Sequence, residues 1–106
     1  NVSYIHDSEY FKDLVNNNNN ILRYDFIILE NNTPKRLIEF DGPQHQNPST
    51  LFGEEEFYRL QKADYIKNQY ALSHNIPLVR IPYTELNNLS YELLFNDNYL
   101  IKENKL

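Results

Sequence analysis

The sequence predicts an α/β domain built on a mixed sheet, and three observations carry that reading. Residues 21–30 (ILRYDFIILE) and 36–41 (RLIEFD) are runs of β-branched and aromatic residues with the length of strands. Between them lies a polar Asn31-Asn32-Thr33-Pro34-Lys35 turn, so the two runs should form an antiparallel hairpin. A long helical pattern from Glu54 to about His74 then separates the hairpin from a short apolar strand, residues 77–82 (PLVRIP). A helix of about 20 residues is long enough to carry the chain across a sheet to a parallel strand. The order is strand, strand, long helix, strand.

The remaining elements are shorter. Residues 1–6 suit a strand. Ser8 is placed to cap a helix through Val15, with Glu9 in its first turn. The run Asn16–Asn20 reads as a polar turn. Gly42-Pro43 ends the second hairpin strand, and residues 44–53 read as a loop. The long helix opens with Glu54, Glu55 and Glu56, which suit the positive end of its dipole. Phe57, Leu60, Ala63, Ile66 and Tyr70 recur at helical spacing and should face the core. Asn75 is a natural stop. Ser90 should cap a last short helix through Phe95, followed by a frayed tail.

The chain has 106 residues, 41% of them hydrophobic, which suits one domain spanning residues 1–106 with one core. It opens at Asn1 rather than Met and reads as a piece of something longer, with a separate DNA-binding region elsewhere. There is no cysteine, which excludes disulfides, zinc ribbons and thiol catalysis and suits a cytoplasmic setting. No apolar run approaches a membrane span. The net charge of −5 argues against binding nucleic acid by charge alone, although a site that holds metal ions needs carboxylates.

The carboxylates have a pattern. Side chains alternate across a strand, so Glu39 and Asp41 share one face while Arg36, Ile38 and Phe40 take the other. Asp25 interrupts an otherwise apolar strand, which is costly unless the charge is paired or bound to a metal. Carboxylates converging from adjacent strands suit a hard divalent ion such as Mg²⁺. The plainer alternative is a solvated face or an ion pair with Arg23. His45 follows Asp41 by four residues, where it could move a proton, although a loop histidine is commonly ordinary surface. Asp64, Lys67, Asn68 and Ala71 form one stripe of the long helix beside the apolar one. Asp64 with Lys67 or Asn68 is either a surface pair or part of a site in which Lys67 contacts phosphate. Arg80 alternates with Val79 and Ile81 and could clamp a carboxylate or a phosphate. His6 and His74 have no such context.

Taken together, Arg23-Tyr24-Asp25-Phe26 and Ile38-Glu39-Phe40-Asp41-Gly42-x-Gln44-His45 resemble the PD-(D/E)xK nuclease superfamily. More narrowly, they are similar to its very-short-patch-repair-like branch, which includes phage homing endonucleases of the EDxHD type. Lys62-Ala63-Asp64-x-x-Lys67-Asn68-x-Tyr70 and residues 76–83 (IPLVRIPY) add to the likeness, which covers residues 22–83. The resemblance implies a restriction-endonuclease-like fold with flanking helices and Mg²⁺- or Mn²⁺-dependent hydrolysis of double-stranded DNA. It implies catalytic roles for Asp25, Glu39, Asp41, His45 and Asp64, with Asp25 and Asp41 on the metal. Lys67 and Arg80 would contact the phosphate. Cutting both strands would need a homodimer or a second encounter. Two features depart from the superfamily pattern. Asp41 stands where a lysine is usual, as it does in the very-short-patch-repair-like branch. Only Glu9 is available for the glutamate often found on an N-terminal helix. The alternative class is a non-catalytic nucleic-acid or protein-binding module on a nuclease-like fold.

Overall fold

A computed structural model of the chain describes residues 1–42 and 53–104. It shows an α/β arrangement around an open four-stranded mixed sheet of order β1-β2-β3-β4. Strand β1 (Val2–His6) pairs antiparallel with β2 (Phe26–Glu30), and β2 pairs antiparallel with β3 (Thr33–Asp41). The long helix α1 (Gly53–Ser73) leads to β4 (Leu78–Pro82), which lies parallel to β3. A 3-10 turn at Tyr83–Asn88, a short helix α2 (Tyr91–Leu94) and a 3-10 turn at Asp97–Tyr99 follow. The hairpin, the crossover helix and the parallel strand are as the sequence predicts.

Alternation along the strands divides the interior into two layers. Ile27, Leu29, Leu37 and Leu78 face one side and pack with Leu14, Tyr24 and Ala71. Ile38, Val79 and Ile81 face the other, against Phe26, Phe40, Leu93, Leu94 and Leu100. The first layer lies under α1. The second is closed by the C-terminal part of the chain, where Ser90 caps α2 by accepting from the Leu93 N–H at 3.3 Å. Arg36 anchors this region by donating from Nε to the Leu94 carbonyl at 3.0 Å.

Several expectations need correction. No helix runs from Ser8 to Val15. An eight-residue helix is marginal in water, and here Phe11 and Leu14 are drawn into the core while Val15 bridges to Ile21. The Asn16 carboxamide holds the intervening loop, its Oδ1 accepting from the N–H groups of Asn18 and Asn20 at 2.9 and 3.0 Å. The strand expected at residues 21–30 is shorter, because residues 21 and 22 belong to that local bridge. Asp25 therefore lies one residue before β2 rather than within it.

The hairpin turn is only Asn31-Asn32, both with positive φ (52° and 64°), as a two-residue type I′ connection requires. Thr33, Pro34 and Lys35 belong to β3. Pro34 is tolerated there because β4 pairs only with residues 37–41 and the register with β2 shifts between Ile28 and Leu29.

Helix α1 is turned further than its apolar pattern suggested. Ile66 and Tyr70 pack against the core as expected, but they are half-buried like Phe57, Leu60 and Ala63, and Asn68 and Ala71 are the helix's buried residues. The tail is not frayed through Asn104. Leu100 bridges Val79, and the Ile101 N–H donates to the Leu78 carbonyl at 2.8 Å. The expected loop at residues 44–53, apart from Gly53, lies outside the described residues, as does His45.

Candidate functional site

The ladder between β2 and β3 ends at the pair Phe26 and Ile38. Asp25 and Glu39 stand just beyond it, and their side chains continue the hydrogen bonding that the backbone gives up. Asp25 Oδ2 accepts from the Phe40 N–H at 2.7 Å, and Glu39 Oε1 accepts from the Asp25 N–H at 3.1 Å. Glu39 is only 4% exposed. Like charges facing each other across strands are unfavourable, so this arrangement needs a cation.

Lys67 supplies it from α1. Its Nζ lies 2.9 Å from Glu39 Oε1 and 3.0 Å from the Arg23 carbonyl. Tyr24 supports the lysine from beneath. The ammonium lies 5.8 Å from the centre of the tyrosine ring, and the phenol donates to the Lys67 carbonyl at 2.7 Å. Burial pushes the Tyr24 phenol well above its ordinary pKa, and the Glu39 charge adds to the effect. Burial also pushes the Glu39 carboxyl above the usual range, against the pull of Lys67.

One step along β3, Asp41 meets Arg80 from β4. Register makes this possible, because Glu39 is opposite Arg80 and Asp41 opposite Pro82 in the parallel pair. The Arg80 NH1 group donates to Asp41 Oδ1 at 2.7 Å, NH2 approaches Asp64 Oδ1 at 3.4 Å, and Nε donates to Asn68 Oδ1 at 2.7 Å. Burial works against the Arg80 charge, but Asp64, Asp41 and Glu39 more than offset it and raise its pKa. Among the described residues, no buried side-chain nitrogen or oxygen lacks a partner.

The structure thus brings Asp25, Glu39, Asp41, Asp64, Lys67 and Arg80 into one polar cluster between the sheet and α1. Asp64 pairs with Arg80 rather than with its helix neighbour Lys67. Arg23, the alternative partner considered for the strand carboxylates, sits 3.5 Å from Asp7. Sequence reasoning overlooked Tyr24 as a support for Lys67, and it overlooked Asn104, which donates to the Tyr65 carbonyl at 3.0 Å and accepts from Asn68 at 3.3 Å. A tyrosine just before Asp25 was the available signal for the first; nothing in the tail's composition marked the second.

The donor set suits a hard divalent cation in kind, since all of its acids offer carboxylate oxygens. Among the described residues, the cluster sets the carboxylates of Asp25, Glu39, Asp41 and Asp64 beside Lys67 and Arg80. Among the described residues, no three His, Asp or Glu side chains form a ready-made cage for an ion. No helix among them is long and apolar enough to cross a membrane. Comparison with protein-family models, curated proteins and solved structures gives no match.

Proposed function

We propose that this chain is the catalytic domain of a metal-dependent DNA endonuclease, with a restriction-endonuclease-like fold of the very-short-patch-repair-like branch. The observation that carries the reading is the cluster itself: carboxylates from β3, from the residue before β2 and from a helix, with a lysine and an arginine among them, beside the apolar core. A purely structural core at this place would be cheaper to fill with packed apolar side chains. The lysine missing from the strand position held by Asp41 has a spatial counterpart in Lys67, which reaches Glu39 from the helix.

In this reading Asp25 and Asp41 hold Mg²⁺ or Mn²⁺, which when bound lowers the pKa of a water and stabilises charge on phosphate oxygens. Lys67 and Arg80 turn from carboxylates toward the scissile phosphate and stabilise its transition state. Glu39 holds Lys67 in place, and Asp64 does the same for Arg80. His45, in sequence four residues beyond Asp41, takes the proton from the attacking water. One such site cuts one strand of double-stranded DNA, and a homodimer would cut both. The setting is cytoplasmic, in a bacterial or phage-infected cell, consistent with a chain free of cysteine.

That every buried polar side-chain atom among the described residues has a partner favours a second reading, a binding module in which the cluster only holds sheet and helix together. Nicking of supercoiled plasmid in Mg²⁺ separates the two. Under the nuclease reading the native chain nicks, while Asp41→Ala and His45→Ala each lose about 100-fold or more. Equal nicking by all three would overturn the site assignment, and a DNA shift without nicking would favour the module.

A further inference from the structure

We propose that Asn104 is a positioning residue for Arg80, acting through Asn68, so that the C-terminal tail helps set the geometry of the candidate site. The tail reaches the site by pairing. The bridge from Leu100 to Val79 and the bond from Ile101 to the Leu78 carbonyl lay it along the edge of β4 that β3 leaves open. Asn104 is thereby delivered to α1 beside Tyr65, Asn68 and Gln69.

Four groups then form a chain: the Tyr65 carbonyl, the Asn104 carboxamide, the Asn68 carboxamide and Arg80 Nε. The successive distances are 3.0, 3.3 and 2.7 Å. Its two ends have fixed roles. A main-chain carbonyl only accepts, and an arginine Nε–H only donates. Asn104 must therefore present its NH₂ to Tyr65 and its oxygen to Asn68. Asn68 must in turn present its NH₂ to Asn104 and its oxygen to Arg80. No other orientation of either amide satisfies every link, so the tail holds the Asn68 carboxamide in the direction that Arg80 requires. A second contact, from Asn104 Nδ2 to Gln69 Oε1 at 3.4 Å, favours the same orientation.

Asparagine is a poor choice for the buried face of a helix on propensity and desolvation alone. Asn68 is only 7% exposed, yet both ends of its amide are engaged. Its consequence lies at Arg80. With Nε held by Asn68, the planar guanidinium can direct NH1 to Asp41 and NH2 to Asp64 at the same time. Without that hold, the fork is positioned only through its outer nitrogens, NH1 on Asp41 and NH2 on Asp64.

The geometric claim stands without any catalytic activity; only its activity readout rests on the nuclease reading. The test compares the native chain with Asn104→Ala and Asn104→Asp. The aspartate variant keeps the shape but places an acceptor against the Tyr65 carbonyl. Hydrogen exchange of the Arg80 Nε–H is followed by NMR, with the Arg36 Nε–H, held by the Leu94 carbonyl at 3.0 Å, as an internal reference. Exchange at Arg80 should accelerate on the order of tenfold in both variants, while Arg36 is unchanged. Equal acceleration at both arginines would mean general loosening and would overturn the proposal. So would unchanged exchange at Arg80, or an Arg80 Nε–H that is unprotected in the native chain. In parallel, plasmid nicking by Asn104→Ala should fall about tenfold. Altered Arg80 exchange with no nicking by the native chain would sink the nuclease reading and leave the positioning role intact. Native nicking with unaltered exchange would do the reverse.

Discussion

Glu39 concentrates the electrostatic tension of the molecule. Its carboxylate is buried, faces Asp25, and is balanced by Lys67 at 2.9 Å. Burial is the largest influence on its carboxyl and raises it, Asp25 raises it further, and Lys67 opposes both. For an acid whose pKa is raised by folding, the folded chain holds the proton more tightly than the unfolded one. Its contribution to stability is then fullest below the unfolded value and is lost as pH rises through the folded one. Replacing the cation should deepen that loss. Lys67→Met is expected to cost about 3–5 kcal/mol near neutral pH, because it leaves a buried charge without its partner. The cost should shrink on moving to acid pH, because the variant takes up a proton on Glu39 more readily. Urea denaturation at neutral and at acid pH measures this. A cost equal at both would show that Lys67 acts through its bond to the Arg23 carbonyl or its stacking on Tyr24. Much at this scale was legible in the sequence. The two-residue spacing of Glu39 and Asp41 placed them on one face, and an acid amid apolar residues marked Asp25. The pairing was not legible, since the choice of Lys67 for Glu39 and of Arg80 for Asp41 and Asp64 depends on the rotation of α1 over the sheet.

That rotation is the main lesson at the scale of elements. The apolar residues of α1 suggested a stripe through Phe57, Ile66 and Tyr70; Ile66 and Tyr70 do pack on the core, yet the buried residues are Asn68 and Ala71. The helix lowers a polar stripe onto the sheet because the sheet presents charge there, with Glu39, Asp41 and Arg80 on the facing side. Periodicity alone reads hydrophobic faces and has no access to a charged floor. The missing helix at residues 8–15 has a related cause: its apolar residues were enough to anchor a loop but too few to hold a helix. The hairpin turn was misjudged in length because Pro34 looks like a loop residue, whereas the strand carries it where β4 is not yet alongside. The two-residue turn itself makes a sharp prediction. Asn31 and Asn32 both lie at positive φ, which β-branched residues resist. Asn31→Val should cost about 1–2 kcal/mol, while Asn31→Gly should stay within about 0.5 kcal/mol of the native chain. Thermal or urea unfolding of the two variants gives the answer. A tolerated valine would mean that the turn adopts another form.

At the scale of the whole molecule, charge governs how the chain could meet DNA. It carries ten Lys and Arg against fifteen Asp and Glu. Among the described residues, Arg23, Arg36, Arg59, Lys67 and Arg80 are paired with carboxylates. A protein that binds duplex through six to ten phosphate contacts loses about 10³–10⁵ in affinity between 50 and 200 mM salt. If Lys67 and Arg80 are the groups that turn to the phosphate, about two contacts are made, and the same change in salt should weaken binding only about tenfold. Fluorescence anisotropy with a labelled duplex, metal withheld, reads the slope directly. Adding Ca²⁺ should then tighten binding, because a divalent cation at the cluster's carboxylates offsets the repulsion that they exert on phosphate. Asp41→Ala should remove much of that gain while leaving the metal-free slope nearly unchanged. A steep slope without metal would instead mean that the surface ion pairs open and pass their cations to DNA. The acidic composition would then be no guide to how this chain holds its substrate.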